Sequence, residues 1–357
     1  MSKYLNKRFS TLVPYVPGEQ PRNMEFIKLN TNESPFPPSP RAVMAAAEAS
    51  KRMQLYPDPE SRDLNAKLAS LFGISPEEVI STDGSDELLN FAVMAYCSPK
   101  DPIAFANITY GFYKVTANLN CVPYEEIPLR EGFRLDPNDY IGLNKTIIIA
   151  NPNAPTGIAP SVSDIEKIVA GNPNNIVVVD EAYVDFGAQT CLPLIHKYDN
   201  VLITRTFSKS RSMAGARLGW GMANKSIIKD LNTLRNSCNP YNINRMTAAA
   251  AIGAIEDEEY TQKCCRTIAE TREKFAATLR KMKFEFGDSK ANFIFVRHDK
   301  ITGAELYSVL RERGFLIRHF DTPLLTDYNR ITIGSEAQMA RLAEALAAIL
   351  KERGEKF

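Results

Sequence analysis

Residues 147–183, IIIANPNAPTGIAPSVSDIEKIVAGNPNNIVVVDEAY, place two short apolar runs either side of a helical stretch. Ile147 to Ala150 and Ile176 to Val179 are rich in β-branched side chains and scarcely alternate with polar residues, the pattern of strands covered on both faces. Between them Ser163 and Glu166 have the spacing of a capping box and Gly171 stands where a helix would stop. Strand, helix, strand is the repeating unit of a parallel sheet clad in helices. Val201 to Thr204 adds another such run, and a short strand at Val79 is followed by a helix start at Gly84.

Outward from this centre the pattern changes in both directions. Upstream, Pro14, Pro17, Pro21, Pro35, Pro37, Pro38 and Pro40 favour extended backbone, so residues 1–44 read as an arm. Downstream, Ile243, Met246, Ala250, Ala251 and Ala254 follow helical spacing, and after the acidic break from Glu256 to Glu259 a second stripe runs from Tyr260 through Cys264, Ile268, Phe275 and Leu279 to Met282. A smaller α/β unit follows. Its strands are expected at Phe293 to Val296, Phe315 to Ile317 and Ile331 to Ile333, with a helix boxed by Thr302 and Glu305 and stopped by Gly314. A last helix carries Met339, Leu342, Leu346 and Ile349 on one face. We therefore expect an α/β protein with a large domain at 45–242 and a small one at 243–357, the arm packing back on the latter.

The chain has 357 residues, of which 44% are hydrophobic and 24% charged, as in ordinary globular proteins. Lys and Arg number 43 against 42 Asp and Glu, so no net basic excess argues for nucleic acid or an anionic membrane. Six cysteines without a CxxC pair suit reduced thiols, and Cys264 and Cys265 fall on a helical stripe as core residues. The stretch from Met1 to Tyr15 lacks an apolar leader, and no apolar run is long enough to span a bilayer, which leads to the expectation of a cytoplasmic protein.

In open parallel sheets ligands lie beyond the carboxyl ends of the strands, which singles out three loops. They read Asn151 to Gly157, Asp180 to Tyr183, and Arg205 to Lys209, and together they supply an amide, a carboxylate, a phenol and an amine. Gly84, Ser85 and Asp86 open a helix whose free N–H groups suit a phosphate, although Ser85 also reads as a plain cap. Arg217, eight residues past Lys209, offers a guanidinium to the same anion, while Gly215, Gly219 and Gly221 read as a turn allowing close backbone approach. Pyridoxal phosphate matches this set, since it needs a lysine for a Schiff base and an acid facing its ring nitrogen. Nucleotide cofactors are less well served, because no GxGxxG follows a strand and no GxxxxGK[ST] occurs. The histidines, His196, His298 and His319, have no metal-ligand spacing.

These residues resemble the histidinol-phosphate aminotransferase family, within the fold type I pyridoxal-phosphate enzymes. The resemblance is carried by Leu29 to Pro35, Tyr56 to Pro59, the Gly84 helix start, Thr109 to Gly111, Asn151 to Gly157, Asp180 to Tyr183, Ser208 and Lys209 with Arg217, and Arg330 to Gly334. It implies that Lys209 is the Schiff-base lysine and proton shuttle, Asp180 the partner of the pyridinium, and Tyr183 the donor to the ring oxygen. Gly84, Ser85, Thr206, Ser208 and Arg217 would hold the phosphate, Asp86 would belong to the same cofactor-binding set, and Tyr110 would stack on the ring. Tyr56 would reach the cofactor of a neighbouring subunit, implying a homodimer with shared sites. Arg330, with Arg318, Tyr15 and Asn32, would bind the substrates, expected to be L-histidinol phosphate and 2-oxoglutarate.

One position departs from the family pattern. Ala154 stands where an asparagine usually precedes Pro-Thr-Gly, and the adjacent Asn153 is expected to supply the amide to the ring oxygen instead, the alternative being that Tyr183 acts there alone. Decarboxylation of threonine phosphate or transamination of aromatic amino acids uses the same skeleton, and a cofactor-binding regulator without turnover is the alternative from another class.

Overall fold

The computed structural model describes residues 2–20 and 26–355; Pro21, part of the expected extended opening, lies outside them. The larger sheet has seven strands in the spatial order Val79–Thr82, Gly219–Ala223, Val201–Thr206, Val177–Asp180, Thr146–Ala150, Ile103–Ala106 and Tyr124–Ile127. All neighbours are parallel except Gly219–Ala223, which runs antiparallel to both strands beside it.

The absence of polar alternation in the central strands has a direct cause. Ile147, Ile149, Val177, Val179, Val201 and Ile203 pack into the cluster on one face, and Ile148, Val178 and Leu202 into the cluster on the other. Each fully buried branched side chain contributes about 1.5–3 kcal/mol, which keeps apolar residues on both faces along the middle of these strands. The first face is covered by the helix Val162–Ala170 through Ile165, Ile168 and Val169. The second is covered by Gly84–Tyr96 through Leu88, Leu89 and Ala92 and by Lys225–Cys238 through Ile227, Ile228 and Leu231.

Three local expectations are corrected. The helix Val162–Ala170 is capped by Ser161, whose hydroxyl accepts from the Asp164 N–H at 3.1 Å; Ser163 already lies inside the helix, and Glu166 turns outward to Lys197 and Tyr198. Thr302 does cap Gly303–Glu312 by accepting from the Glu305 N–H, but the Glu305 carboxylate pairs with Arg353 instead of closing the box. Gly219 and Gly221 belong to a strand, not a turn. The close approach expected there is real: a Cβ on Gly219 would overlap the Ser85 backbone nitrogen, and one on Gly221 would lie 2.6 Å from a methyl of Leu88.

The smaller unit is a four-stranded antiparallel sheet in the order Arg318–His319, Asn329–Thr332, Phe293–Arg297, Glu285–Phe286. The helices Glu258–Lys281 and Glu336–Glu352 bury Ile268, Phe275, Leu279, Leu342 and Leu346 against it. Cys264 and Cys265 are both buried in the first of these helices.

The arm joins this unit by a parallel pairing of Ile27–Lys28 with Phe315–Leu316 and by Glu19 bonding to Tyr307 and Arg311. From Pro40 onward the chain turns to the larger sheet. The helix Pro40–Ser50 packs on Arg245–Ile255, where Gly253 lets the backbones close: a Cβ there would sit 2.7 Å from the Arg41 carbonyl oxygen. Ala250, Ala251, Ala254 and Ile255 accordingly share the larger sheet's cluster, so the expected boundary at 243 falls ahead of a helix that packs with residues before it.

Candidate active site

Strand register brings the chemistry together. Ala150 pairs with Asp180 and Asp180 with Thr204, so the loops that follow these three strands leave the sheet side by side. Asp180 and Thr204 face one surface of the sheet, and Glu181 and Arg205, one residue on, bond to each other on the opposite surface. A cavity of about 320 Å³ opens above this edge, lined by Ser85, Asp86, Tyr110, Asp180, Tyr183, Thr206, Ser208, Lys209 and Arg217, with Tyr15, Asn32, Arg318 and Arg330 on the substrate side expected from the sequence.

Four cationic side chains, Lys209, Arg217, Arg318 and Arg330, face three carboxylates, Glu33, Asp86 and Asp180. The imbalance suits an anionic guest. Lys209 Nζ donates to the Thr31 carbonyl at 3.2 Å, and burial, reinforced by Arg330, pushes its amine down to about 8. Asp180 is buried with its carboxylate pushed up to about 6 by desolvation, a rise restrained by donors from Tyr113, Ala182 and Thr204. Tyr183 accepts from Asn32 Nδ2 at 2.9 Å and burial raises its hydroxyl above the ordinary phenol range.

The candidate cradle for a phosphate is the helix start at Gly84, beside Ser85 and Asp86 of the cavity lining. Gly84 has φ of +74°, and a Cβ there would come within 2.7 Å of Arg217 Nη2, so only glycine leaves the helix start open beside that guanidinium. Arg217 itself lies 3.4 Å from Asp86, which also accepts from the Tyr110 hydroxyl at 3.1 Å. Elsewhere in the cavity, Arg330 donates through Nη2 to the Asn30 carbonyl, and its buried Nε has no partner among the described residues. A phosphate cradle, a lysine of lowered basicity and a buried acid are the donor set a pyridoxal phosphate requires, and the residues fit that group.

One expected residue lies elsewhere. Asn153 is spent within its own loop: its amide donates to the Ile108 carbonyl at 2.8 Å and to Thr156 Oγ1 at 3.1 Å, and its oxygen accepts from Thr109. Ala154, not Asn153, lines the cavity, so the expected substitute amide at the ring oxygen is corrected. Both Asn151-Pro152 and Ala154-Pro155 are cis, the loop conformation in which Asn153 makes these bonds. Tyr56 is 78% exposed and stacks on Tyr241 at 4.7 Å, away from this protomer's cavity.

Sequence reading missed Tyr113, whose hydroxyl donates to Asp180 at 2.7 Å, and Glu33. Tyr113 lies in the first turn of the helix Phe112–Leu119, and no local spacing in the sequence marks its meeting with Asp180.

Residues 24–346 match the aminotransferase class I and II family. A histidinol-phosphate aminotransferase of Clostridium acetobutylicum is 43% identical over 347 residues, 97% of this chain and 99% of that one. One from Aromatoleum aromaticum is 44% identical over 356 residues, 98% of this chain and all of that one. Among solved structures, a histidinol-phosphate aminotransferase from Sinorhizobium meliloti in complex with pyridoxal-5'-phosphate superposes with a TM-score of 0.89 at 25% identity, covering 98% of this chain and 100% of that one.

Proposed function

This chain belongs to the class I and II aminotransferases, in their histidinol-phosphate branch, and from that membership we propose the following roles for its residues. It is an aminotransferase, and its reaction takes the amino group of L-histidinol phosphate to 2-oxoglutarate, giving imidazole-acetol phosphate and glutamate in histidine biosynthesis. The observation that carries the reading is the single cavity in which Lys209, Asp180, Tyr183, Arg217 and Arg330 converge.

Ser85, Thr206, Ser208 and Arg217 hold the phosphate of pyridoxal phosphate, with Gly84 giving the backbone room and Asp86 keeping Arg217 in place. Bound there, the cofactor supplies an aldehyde that takes up amines and a heterocycle that draws electrons from the substrate's α-carbon. Asp180 keeps the heterocycle's nitrogen protonated, and Tyr183 donates to its ring oxygen while Asn32 holds Tyr183 from behind. Tyr110 covers the ring face, oriented by its bond to Asp86. Lys209 Nζ, with its basicity lowered by burial, would take the proton from the substrate's α-carbon and pass it on instead of returning it there, as amino transfer requires. Arg330 binds the phosphate of the amino donor and in turn the carboxylate of the 2-oxo acid, with Arg318 and Tyr15 beside it.

Tyr56 completes the phosphate site of a second copy, so the working form is a homodimer. Supporting this, Met53, Leu55, Tyr56 and Tyr241 form an exposed apolar surface beyond what a lone protomer needs. No helix among the described residues is long and apolar enough to cross a membrane; the cytoplasm is part of the proposal, resting on the histidine-biosynthetic reaction proposed for the chain.

The test is a panel of amino donors given to the protein loaded with pyridoxal phosphate: histidinol phosphate, phenylalanine and threonine phosphate. Conversion of the bound aldehyde to its amine form by histidinol phosphate, and its reversal by 2-oxoglutarate, is expected. Inert histidinol phosphate beside a reactive aromatic amino acid overturns the substrate, and carbon dioxide release from threonine phosphate overturns the reaction type.

A further inference from the structure

Asp180 is 5% exposed and among the described residues no salt bridge reaches its carboxylate. Its charge depends on three neutral donors. Oδ1 accepts from the Ala182 N–H at 3.2 Å and from Thr204 Oγ1 at 3.3 Å, whereas Oδ2 has a single and shorter bond, from the Tyr113 hydroxyl at 2.7 Å. Tyr113 is itself 1% exposed, with its ring edge-on to Tyr110 at 5.6 Å and tilted against Phe105 at 6.0 Å. The hydroxyl is thus fixed by packing and bonds one acceptor among the described residues.

We propose that Tyr113 is a positioning residue: its hydroxyl holds the Asp180 carboxylate ionised and oriented for the cofactor's heterocycle, the role given to Asp180 above. A buried carboxylate left with an unpaired oxygen favours its protonated form, and a donor to the charged form reverses that preference. The other groups facing Asp180 do not replace this donor. Asp86 on Gly84–Tyr96 adds negative charge, which favours the proton, as burial does. Tyr183, after the same strand, and Lys209, on the loop after Val201–Thr206, face the cavity, while Thr204 serves the other oxygen. Burial pushes Asp180 up to about 6, close enough to neutrality for one hydrogen bond to decide its charge.

Tyr113→Phe keeps the packed ring and removes only the donor. In the full-length apoprotein, carbon-13 NMR of labelled aspartate should show the Asp180 titration midpoint rising by about one to two pH units, the usual worth of a hydrogen bond to a charged group. In the holoenzyme, kcat at pH 7 should fall about tenfold and recover toward pH 9, with cofactor affinity changed less than about threefold. Added to Asp180→Asn, the same substitution should cost nothing further. An unmoved Asp180 titration overturns the proposal, and so does an equal loss of kcat at every pH or in the Asp180→Asn background. The apoprotein titration decides the matter without the cofactor, so a wild-type chain that takes up no pyridoxal phosphate would refute the cofactor assignment separately.

Discussion

Arg217 Nη2 stands 2.7 Å from the point where Gly84 would carry a Cβ, and the same nitrogen is 3.4 Å from Asp86. The guanidinium therefore fills the space of a missing side chain. Gly84→Ala both forces a methyl into that space and places a side chain at φ of +74°. We expect at least a tenfold rise in the dissociation constant for pyridoxal phosphate, measured by absorbance titration, and a stability loss of about 1 kcal/mol from the strained backbone.

Lys209 at about 8 carries about a tenth of its amine neutral at pH 7, far more than an ordinary lysine. In apoprotein treated with a limiting acylating reagent, peptide mapping should find Lys209 among the fastest-labelled lysines at pH 7, with a rate that rises to a plateau above pH 8. Arg330 contributes to the lowering, so Arg330→Ala should move that midpoint to higher pH.

Asp180 has a folded value raised from 3.8 to about 6, so the folded apoprotein binds more protons than the unfolded chain between those limits. Its contribution to stability is therefore fully present below pH 4 and falls as pH rises through 6, by about 3 kcal/mol. Asp180→Asn lacks this titration. Urea unfolding of the two apoproteins should show the variant gaining on the wild type as pH rises from 4 to 7 and holding a constant margin above.

Asn153 and Asn32 should separate by effect. Asn153→Ala removes three bonds of a buried side chain within its own loop and should lower stability by about 2 kcal/mol without altering the pH titration of the bound cofactor's absorbance. Asn32→Ala removes the donor to Tyr183 and should move that titration. A reversed pair of results would return Asn153 to the ring.

Much of this site is readable in the chain because strand ends and loop chemistry are local. The runs at Ile147, Ile176 and Val201 announce buried strands, and register then aligns Ala150, Asp180 and Thr204, so that the loop carrying Lys209 leaves the sheet beside Asp180. What the chain hides is set by distant packing. Gly219–Ala223 carries two glycines for want of room against Gly84, Ser85 and Leu88, which in sequence looks like a turn. Tyr113 meets Asp180 across 67 positions, and nothing near either residue marks the encounter. Asn153 is adjacent to Ala154, yet its side chain bonds Ile108, Thr109 and Thr156, and no spacing rule distinguishes that from facing the cavity.

Thr31, whose carbonyl receives Lys209, lies three residues past the short pairing of Ile27–Lys28 with Phe315–Leu316, and the next residue, Asn32, is tied through its N–H to Thr332. One wall of the chamber is thereby stitched to the C-terminal third of the chain while the floor belongs to the central sheet. Any tilt of the smaller unit would therefore be felt at once by the entrance and by the carbonyl that seats the reactive amine.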